Sequence, residues 1–423
     1  MGIIANRDKE GRRKPCEVGD NGPGSRRGPA VPRRAQEKSS TYFINSEPHM
    51  PRSIAYERDN ALNAICPYFT MFPLEYPLGV LKQYRKANPV VMDPFCGRGT
   101  TLFAARKLGL AVRGIDSSPI AVAIARAKLA VVDTVNVLEL AKRYMEEHAR
   151  VAVPDNCFFR AAFHPSVLVN VCAIREGLLR VRRETDTTVI LRAAMLGCLH
   201  GPTGKTPERR SYFSNQMPRT FSSKPDYSVR YWMEKQLVAP EVDVIKVLER
   251  KLRRLDSPQL LQTGVLTDAR RGDSRVAASL PPAFRDFSVV VTSPPYYGMR
   301  TYVEDQWLRN WFLGGADHVI YGKSTQLQHA GFESFAVSLG KVWKNMARTT
   351  AEDLDMHIRF GIIPSAKVDA KALVRASLED SGVQWAEVSV RSAKTAASGK
   401  RQADHMAAGS AAAIEYDFHV KRI

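Results

Sequence analysis

"PVVMDPFCGRGTTLFAARKLGLAVRGID" runs from Pro89 to Asp116, and its reading decides the fold. A short apolar strand, "PVVMD", ends at Asp93, and a glycine-rich turn follows at once. "TTLFAARKLG" (Thr100 to Gly109) has helical spacing and a terminal glycine that suits a C-cap. "AVRGID" (Ala111 to Asp116) is a second short strand that ends at a second acid. Strand, glycine turn, helix, strand and acid make the first half of an open, mostly parallel α/β sheet. Such a sheet binds nucleotide-type ligands at its strand ends.

The turn itself reads as a ligand cradle. In "DPFCGRGTT" (Asp93 to Thr101), Gly97 and Gly99 let the backbone come close to a ligand, and the helix start offers unpaired N–H groups. Asp93 stands where a ligand amine can sit, and Asp116 where an acid can accept hydrogen bonds from ribose hydroxyls. The glycines do not extend to G-x-G-x-x-G, and the absence of a lysine excludes a Walker A loop. A cofactor smaller than a dinucleotide, containing adenosine, is therefore expected.

Beyond the cradle, "PIAVAIARAKLA" continues as an alanine-rich helix, and residues 131–262 are mainly helical. One break interrupts that region, His200 to Tyr227. It contains "GPTGKT", which lacks the first glycine of a phosphate loop and follows an apolar helix, so it is read as an ordinary loop. "FSVVVTSPPYYG" resumes the sheet. Two amphipathic stretches, a strand-like "MHIRFGIIP" and a last helix follow; "VQWAEVSV" and "AIEYDFHV" then alternate as a hairpin at the sheet edge. The expected divisions are a disordered basic tail (1–40), a cofactor-binding half (41–130), a helical insertion (131–262) and a catalytic half (263–423).

Lys and Arg number 62 against 43 Asp and Glu, a net charge of +19, an excess that suits a polyanion. No apolar run is long enough to span a membrane, and the N-terminus lacks a signal-peptide core. Six cysteines show neither C-x-x-C pairing nor zinc-ligand spacing. They read as reduced thiols of an intracellular bacterial or archaeal protein, with no metal.

The other informative stretch is "VVVTSPPYYGMRTY" (Val289 to Tyr302). Two consecutive prolines remove two backbone donors and fix two φ angles, so the carbonyls around them are rigid and lack ladder partners. Together, "DPFCGRGTT" and "TSPPYYG" resemble motifs I and IV of the exocyclic-amine DNA methyltransferases, and the Ser-Pro-Pro-Tyr form looks most like the N4-cytosine branch. "ICPYFTMFPLEYPLGVL" (Ile65 to Leu81) is similar to that family's motif X, with Tyr68 and Phe69 beside the cofactor. "RRGDSR" is similar to its acidic motif, with Asp273 toward the adenine amine and Asp268 as the rival.

The resemblance implies a Rossmann-like methyltransferase fold: a mostly parallel seven-stranded sheet, a C-terminal antiparallel hairpin and a helical insertion. It implies S-adenosyl-L-methionine as cofactor, held by Asp93, Pro94, Phe95, Gly97, Gly99, Thr100, Thr101 and Asp116. It also implies Ser293, Pro294, Pro295 and Tyr296 as catalytic residues. The partner would be double-stranded DNA, modified at cytosine N4 in a restriction-modification system, whose companion endonuclease acts on the same site without direct contact. Lys205, Arg209, Arg210, Arg219 and Lys224 of the basic insertion, with Arg300 and Tyr302, would face the DNA.

The chemistry behind the prolines is physical. An exocyclic amine is a poor nucleophile because its lone pair is delocalised into the ring. Acceptors aimed at both its N–H bonds, the Ser293 hydroxyl and the Pro294 carbonyl, draw the nitrogen toward tetrahedral geometry. The base must leave the duplex to react, and Tyr296 offers a ring for it to stack on. Three other readings compete: an N6-adenine DNA enzyme, a tRNA guanine-N2 enzyme and an inactive DNA-binding module. Ser293 stands where adenine-modifying relatives carry Asp or Asn, and the C5-cytosine route fails because the sole Pro-Cys pair is Pro15-Cys16, in the tail.

Overall fold

The computed structural model describes residues 62, 65–68, 73–201, 210–215, 217, 224–255, 266–298, 303–321, 327, 331–348, 353–362, 367–393 and 414–423. All lie in one compact unit, 60–423. The tail assigned to 1–40, and the sites expected at Phe69, Lys205, Arg209, Arg219, Arg300 and Tyr302, lie outside the described residues.

The chain begins with α1 (Glu75–Lys82), β1 (Val91–Asp93), α2 (Thr100–Leu108), β2 (Val112–Asp116) and α3 (Pro119–Leu129). Each boundary follows from the local sequence. Gly109 ends α2 at φ +73° and donates its N–H to Ala105 and Arg106 carbonyls. Ser118 caps α3 by accepting from Ala121 N–H, and Pro119 fills the first turn, where no donor is needed.

Among the described residues, the segment read as helical contributes α4 (Thr134–Glu147), α5 (Cys157–Ala162), α6 (Pro165–Leu179), α7 (Asp186–Cys198), α8 (Pro225–Glu234) and α9 (Val244–Arg253). A capping box between Thr185 and Thr188 starts α7. The rest comprises β3 (Thr267–Arg271), β4 (Val289–Thr292), α10 (Trp307–Phe312), α11 (Phe332–Arg348), β5 (Asp355–Ile362), α12 (Ala370–Glu379), β6 (Trp385–Ser392) and β7 (Ile414–Arg422).

The strands form one seven-stranded sheet in the order β3-β2-β1-β4-β5-β7-β6. The first five are parallel neighbours, and β7 is antiparallel to both β5 and β6. This is the expected Rossmann-like methyltransferase architecture, with a refinement: β7 is inserted between β5 and β6. β3 pairs with β2, so residues after 263 also extend the cofactor side of the sheet.

α11 and α12 cover one face, burying Met92, Val290, Met356, Phe360, Trp343 and Leu373 in a common core. The Trp343 indole N–H is satisfied by Ser377 Oγ at 3.0 Å. The helical insertion reaches the sheet layer through α7 against α3, and α10 also contacts α3. Aromatic rings join α10 to α5, with Phe158–Trp307 centroids at 4.7 Å and Phe159–Trp311 at 4.6 Å. Arg309, fully buried in α10, donates to the Leu196 and Pro67 carbonyls at 3.1 and 2.9 Å. Cys66, Cys96, Cys172 and Cys198 are free thiols.

Candidate functional site

The sheet reverses its winding between β1 and β4, and a parallel sheet opens a crevice at the carboxyl ends of its strands at such a point. Both chemistry-bearing motifs are there. Register pairs Met92 with Val290, so "DPFCGRGTT" and "TSPPYY" leave adjacent strands side by side.

Two hydrogen bonds tie the motifs together. Thr292 Oγ1 donates to Asp93 Oδ1 at 2.7 Å, and Thr101 Oγ1 donates to the Val291 carbonyl at 3.2 Å. Thr292 was not among the expected site residues, although it directly precedes Ser293. Asp93 Oδ1 also accepts the Phe95 N–H at 3.1 Å, while buried Oδ2 has no hydrogen-bond partner. Burial raises the Asp93 pKa to about 6, against the opposing pull of Thr292, Thr101 and Phe95.

The cradle has the shape its glycines imply. Gly97 and Gly99 sit at φ +49° and +76°, a region that residues with side chains rarely adopt. A Cβ at Gly99 would lie 2.9 Å from Ala125 Cα, so Gly99 also lets α3 approach the turn. A Cβ at Gly97 would meet only the Phe95 carbonyl oxygen, at an ordinary contact distance of 3.9 Å, so the backbone angle and not crowding calls for glycine there. Thr100 and Thr101 are buried at the start of α2.

Asp116 braces the cradle from β2. Its Oδ2 accepts the Gly97 N–H at 2.9 Å and its Oδ1 the Ser118 N–H at 2.8 Å. Burial raises its pKa despite those two bonds. A carboxylate has about four acceptor positions, so two remain for a ligand. Tyr68 lies against this group: burial, then the nearby Asp116 charge, push its phenol well above the ordinary value.

The two rival acids part by position. Asp268 pairs with Arg113, three residues short of Asp116 in register, and is engaged by Arg270 at 3.0 Å. Asp273 lies beyond the end of β3, where the Gly272 N–H donates to the Asp116 carbonyl at 3.0 Å. Burial works against the Asp273 carboxylate, but hydrogen bonds from Arg275, at 2.7–3.1 Å, hold its pKa below the usual value. The same loop is pinned to the cradle by Ser274 Oγ, which donates to the Pro94 carbonyl at 2.7 Å. Sequence reading missed Ser274 because nothing local marks a contact made across 180 residues.

Past β4, Ser293 is half-buried and Pro294 buried. The Tyr296 hydroxyl donates to Glu415 on β7 at 2.7 Å, and its ring meets Phe360 edge-on at 6.1 Å. Burial and then Glu415 raise the Tyr296 pKa, and a hydrogen bond with Ser293 opposes them. The ring is thus anchored at its hydroxyl end, a contact with no counterpart in the local sequence. Of the described residues in the expected nucleic-acid face, Arg210 is half-buried and Lys224 exposed at the start of α8.

Residues 31–127 match the model of a DNA methylase family acting at N6 or N4. That match supports an exocyclic-amine DNA methyltransferase; it includes the cradle and stops before the prolines. No curated protein matches the chain. Among solved structures, the chain is similar to the rRNA methyltransferase aviRa of Streptomyces viridochromogenes. One structure of it is 14% identical, covers 88% of this chain and 93% of its own, and has a TM-score of 0.31. A second is 12% identical with the same coverage and a TM-score of 0.30. A chain from work on conversion of a disulfide bond into a thioacetal group during echinomycin biosynthesis is 9% identical. It covers 87% of this chain and 91% of its own, with a TM-score of 0.29. Overlaps this weak carry no argument; the fold rests on the sheet itself.

Proposed function

We propose that the chain transfers a methyl group from S-adenosylmethionine to an exocyclic amine of DNA, cytosine N4, as the modifying half of a restriction-modification system. The observation that carries this reading is the pair of bonds, Thr292 to Asp93 and Thr101 to Val291, that join the cradle to the Ser-Pro-Pro-Tyr turn. The family match over 31–127 supports it independently.

The cradle's own features fit this cofactor. Asp93 Oδ2 is an idle buried acceptor suited to an ammonium, Gly97 adds no side chain over the turn, and Asp116 keeps acceptor positions for ribose hydroxyls. Asp273, at the strand end, is favoured over Asp268 for the adenine amine, with Tyr68 and Phe69 beside the cofactor. When bound, S-adenosylmethionine supplies an electrophilic methyl group on sulfur.

The chain's residues then prepare the nucleophile. The Ser293 hydroxyl and the Pro294 carbonyl accept the amine's two N–H bonds, and Pro294 and Pro295 keep both acceptors from turning away. Tyr296, fixed through Glu415, presents its ring to the extruded base. The amine nitrogen bonds the methyl carbon as the sulfur–methyl bond breaks, the bonding pair returns to sulfur, which leaves as a neutral thioether, and the nitrogen then loses one proton to solvent.

The basic insertion, 131–262, is the candidate target-recognition region, and the net charge of +19 draws the phosphate backbone. Incubation with tritiated S-adenosylmethionine and, separately, duplex DNA and structured RNA tests the reading. Label in DNA alone is expected. Label in RNA alone would replace DNA with RNA as substrate, and label in neither would make the chain a binding module.

A further inference from the structure

We propose that Asp355, His357 and His419 form a binding site for one divalent metal ion of the zinc class, on the paired strands β5 and β7 beside β4. Nothing in the sequence spacing reveals it, because the ligands come from two strands that pair only in the fold.

β5 and β7 are antiparallel, and their register sets His357 directly opposite His419 and Asp355 opposite Lys421. Residues two apart on a strand share a face, so Asp355 and His357 point the same way. Their ligand atoms and that of His419 all lie within 4.8 Å of one another, the one such group among the described residues. His419 Nε2 donates to Asp355 Oδ1 at 2.6 Å, and the two imidazoles stack with centroids 4.1 Å apart. The Tyr84 hydroxyl, just past α1, closes the cluster at 2.8 Å from His357 Nε2.

Two imidazoles and a carboxylate are the donor set of a zinc-class ion, which binds them at about 2.0–2.2 Å and keeps a fourth position for water. Tetrahedral geometry at that length needs ligand atoms about 3.3 Å apart. The Asp355–His419 contact must therefore open by less than about 1 Å, and the remaining separations must close by up to about 1.5 Å. Both lie within the reach of side-chain torsions. Lys421 Nζ, 3.5 Å from Asp355 Oδ1, is the local competitor for the carboxylate, and its side chain is 54% exposed and free to swing into water.

Asp355 and His357 pair with Val289 and Val291 of β4, and Ser293 follows the last residue of that strand. Along the strand the ligands therefore stand four and two residues before Ser293, about 13 and 7 Å. The ion would therefore act as a clip holding β7, which carries Glu415, against β5.

Zinc titration of the chelator-treated full-length protein, by calorimetry and by melting temperature, tests the site. One equivalent should bind and raise the melting temperature. His357→Ala and His419→Ala should each weaken affinity at least about tenfold. Asp355→Asn, which keeps the side-chain shape, should do the same, and Lys421→Met should tighten binding. Cobalt(II) should give a tetrahedral absorption band in the native protein that Asp355→Asn loses. No binding by the native protein, or equal binding by native, Asp355→Asn and His419→Ala proteins, overturns the proposal.

Discussion

Asp93 is a buried carboxylate with one oxygen engaged and the other idle. Its folded pKa, about 6, lies above the ordinary 3.8, so the folded protein holds a proton that the unfolded chain has released. Stability from this group is therefore greatest below pH 3.8 and declines as pH rises to about 6, by about 3 kcal/mol. Asp93→Asn should remove that decline in melting temperature between pH 4 and 7. The same proton competes with a cationic ligand. Native affinity for S-adenosylmethionine, measured by titration, should be about tenfold weaker at pH 5 than at pH 7, and Asp93→Asn should be weak and flat. Ser293 tests the acceptor role directly. Ser293→Ala should lower turnover about a hundredfold while the cofactor dissociation constant stays within about twofold. Equal losses in both would make Ser293 a cofactor contact.

The β1–α2–β2 unit was legible in the sequence because each signal is local: apolar strands, helical period, glycines and a serine cap lie within 28 residues of one another. Gly99 illustrates why the glycine is obligatory. Gly99→Ala combines φ +76° with a contact 2.9 Å from the α3 backbone, and should destabilise by about 1–3 kcal/mol. Gly79→Ala, with nothing within 4 Å and a helical position, should be neutral or stabilising by about 0.5–1 kcal/mol in the same melts. Other features were hidden because register and neighbours are set by long-range pairing. The seat of β3 beside β2, the insertion of β7 between β5 and β6, and the Glu415 anchor for Tyr296 all depend on contacts far apart in sequence. Thr292 was hidden differently. It reads as one more β-branched strand residue, and its hydroxyl matters only because β1 lies alongside.

For the molecule as a whole, two stretches some 190 residues apart were expected to share one site, and the parallel pairing of β1 with β4 brings them together. Which bases the proposed enzyme would recognise is not so legible, since α6 and α7 of the insertion read as ordinary buried helices. Its charge does make a prediction. If six or more phosphates are neutralised, DNA affinity measured by anisotropy should fall roughly a thousandfold between about 50 and 200 mM salt, and a flat profile would detach the +19 from DNA. The most direct test is to methylate duplex DNA with isotopically labelled S-adenosylmethionine, digest it to nucleosides and identify the labelled one by mass. The proposal predicts N4-methylcytosine with the native protein and about a hundredfold less with Ser293→Ala. A label on cytosine C5, or none on any nucleoside, would contradict it.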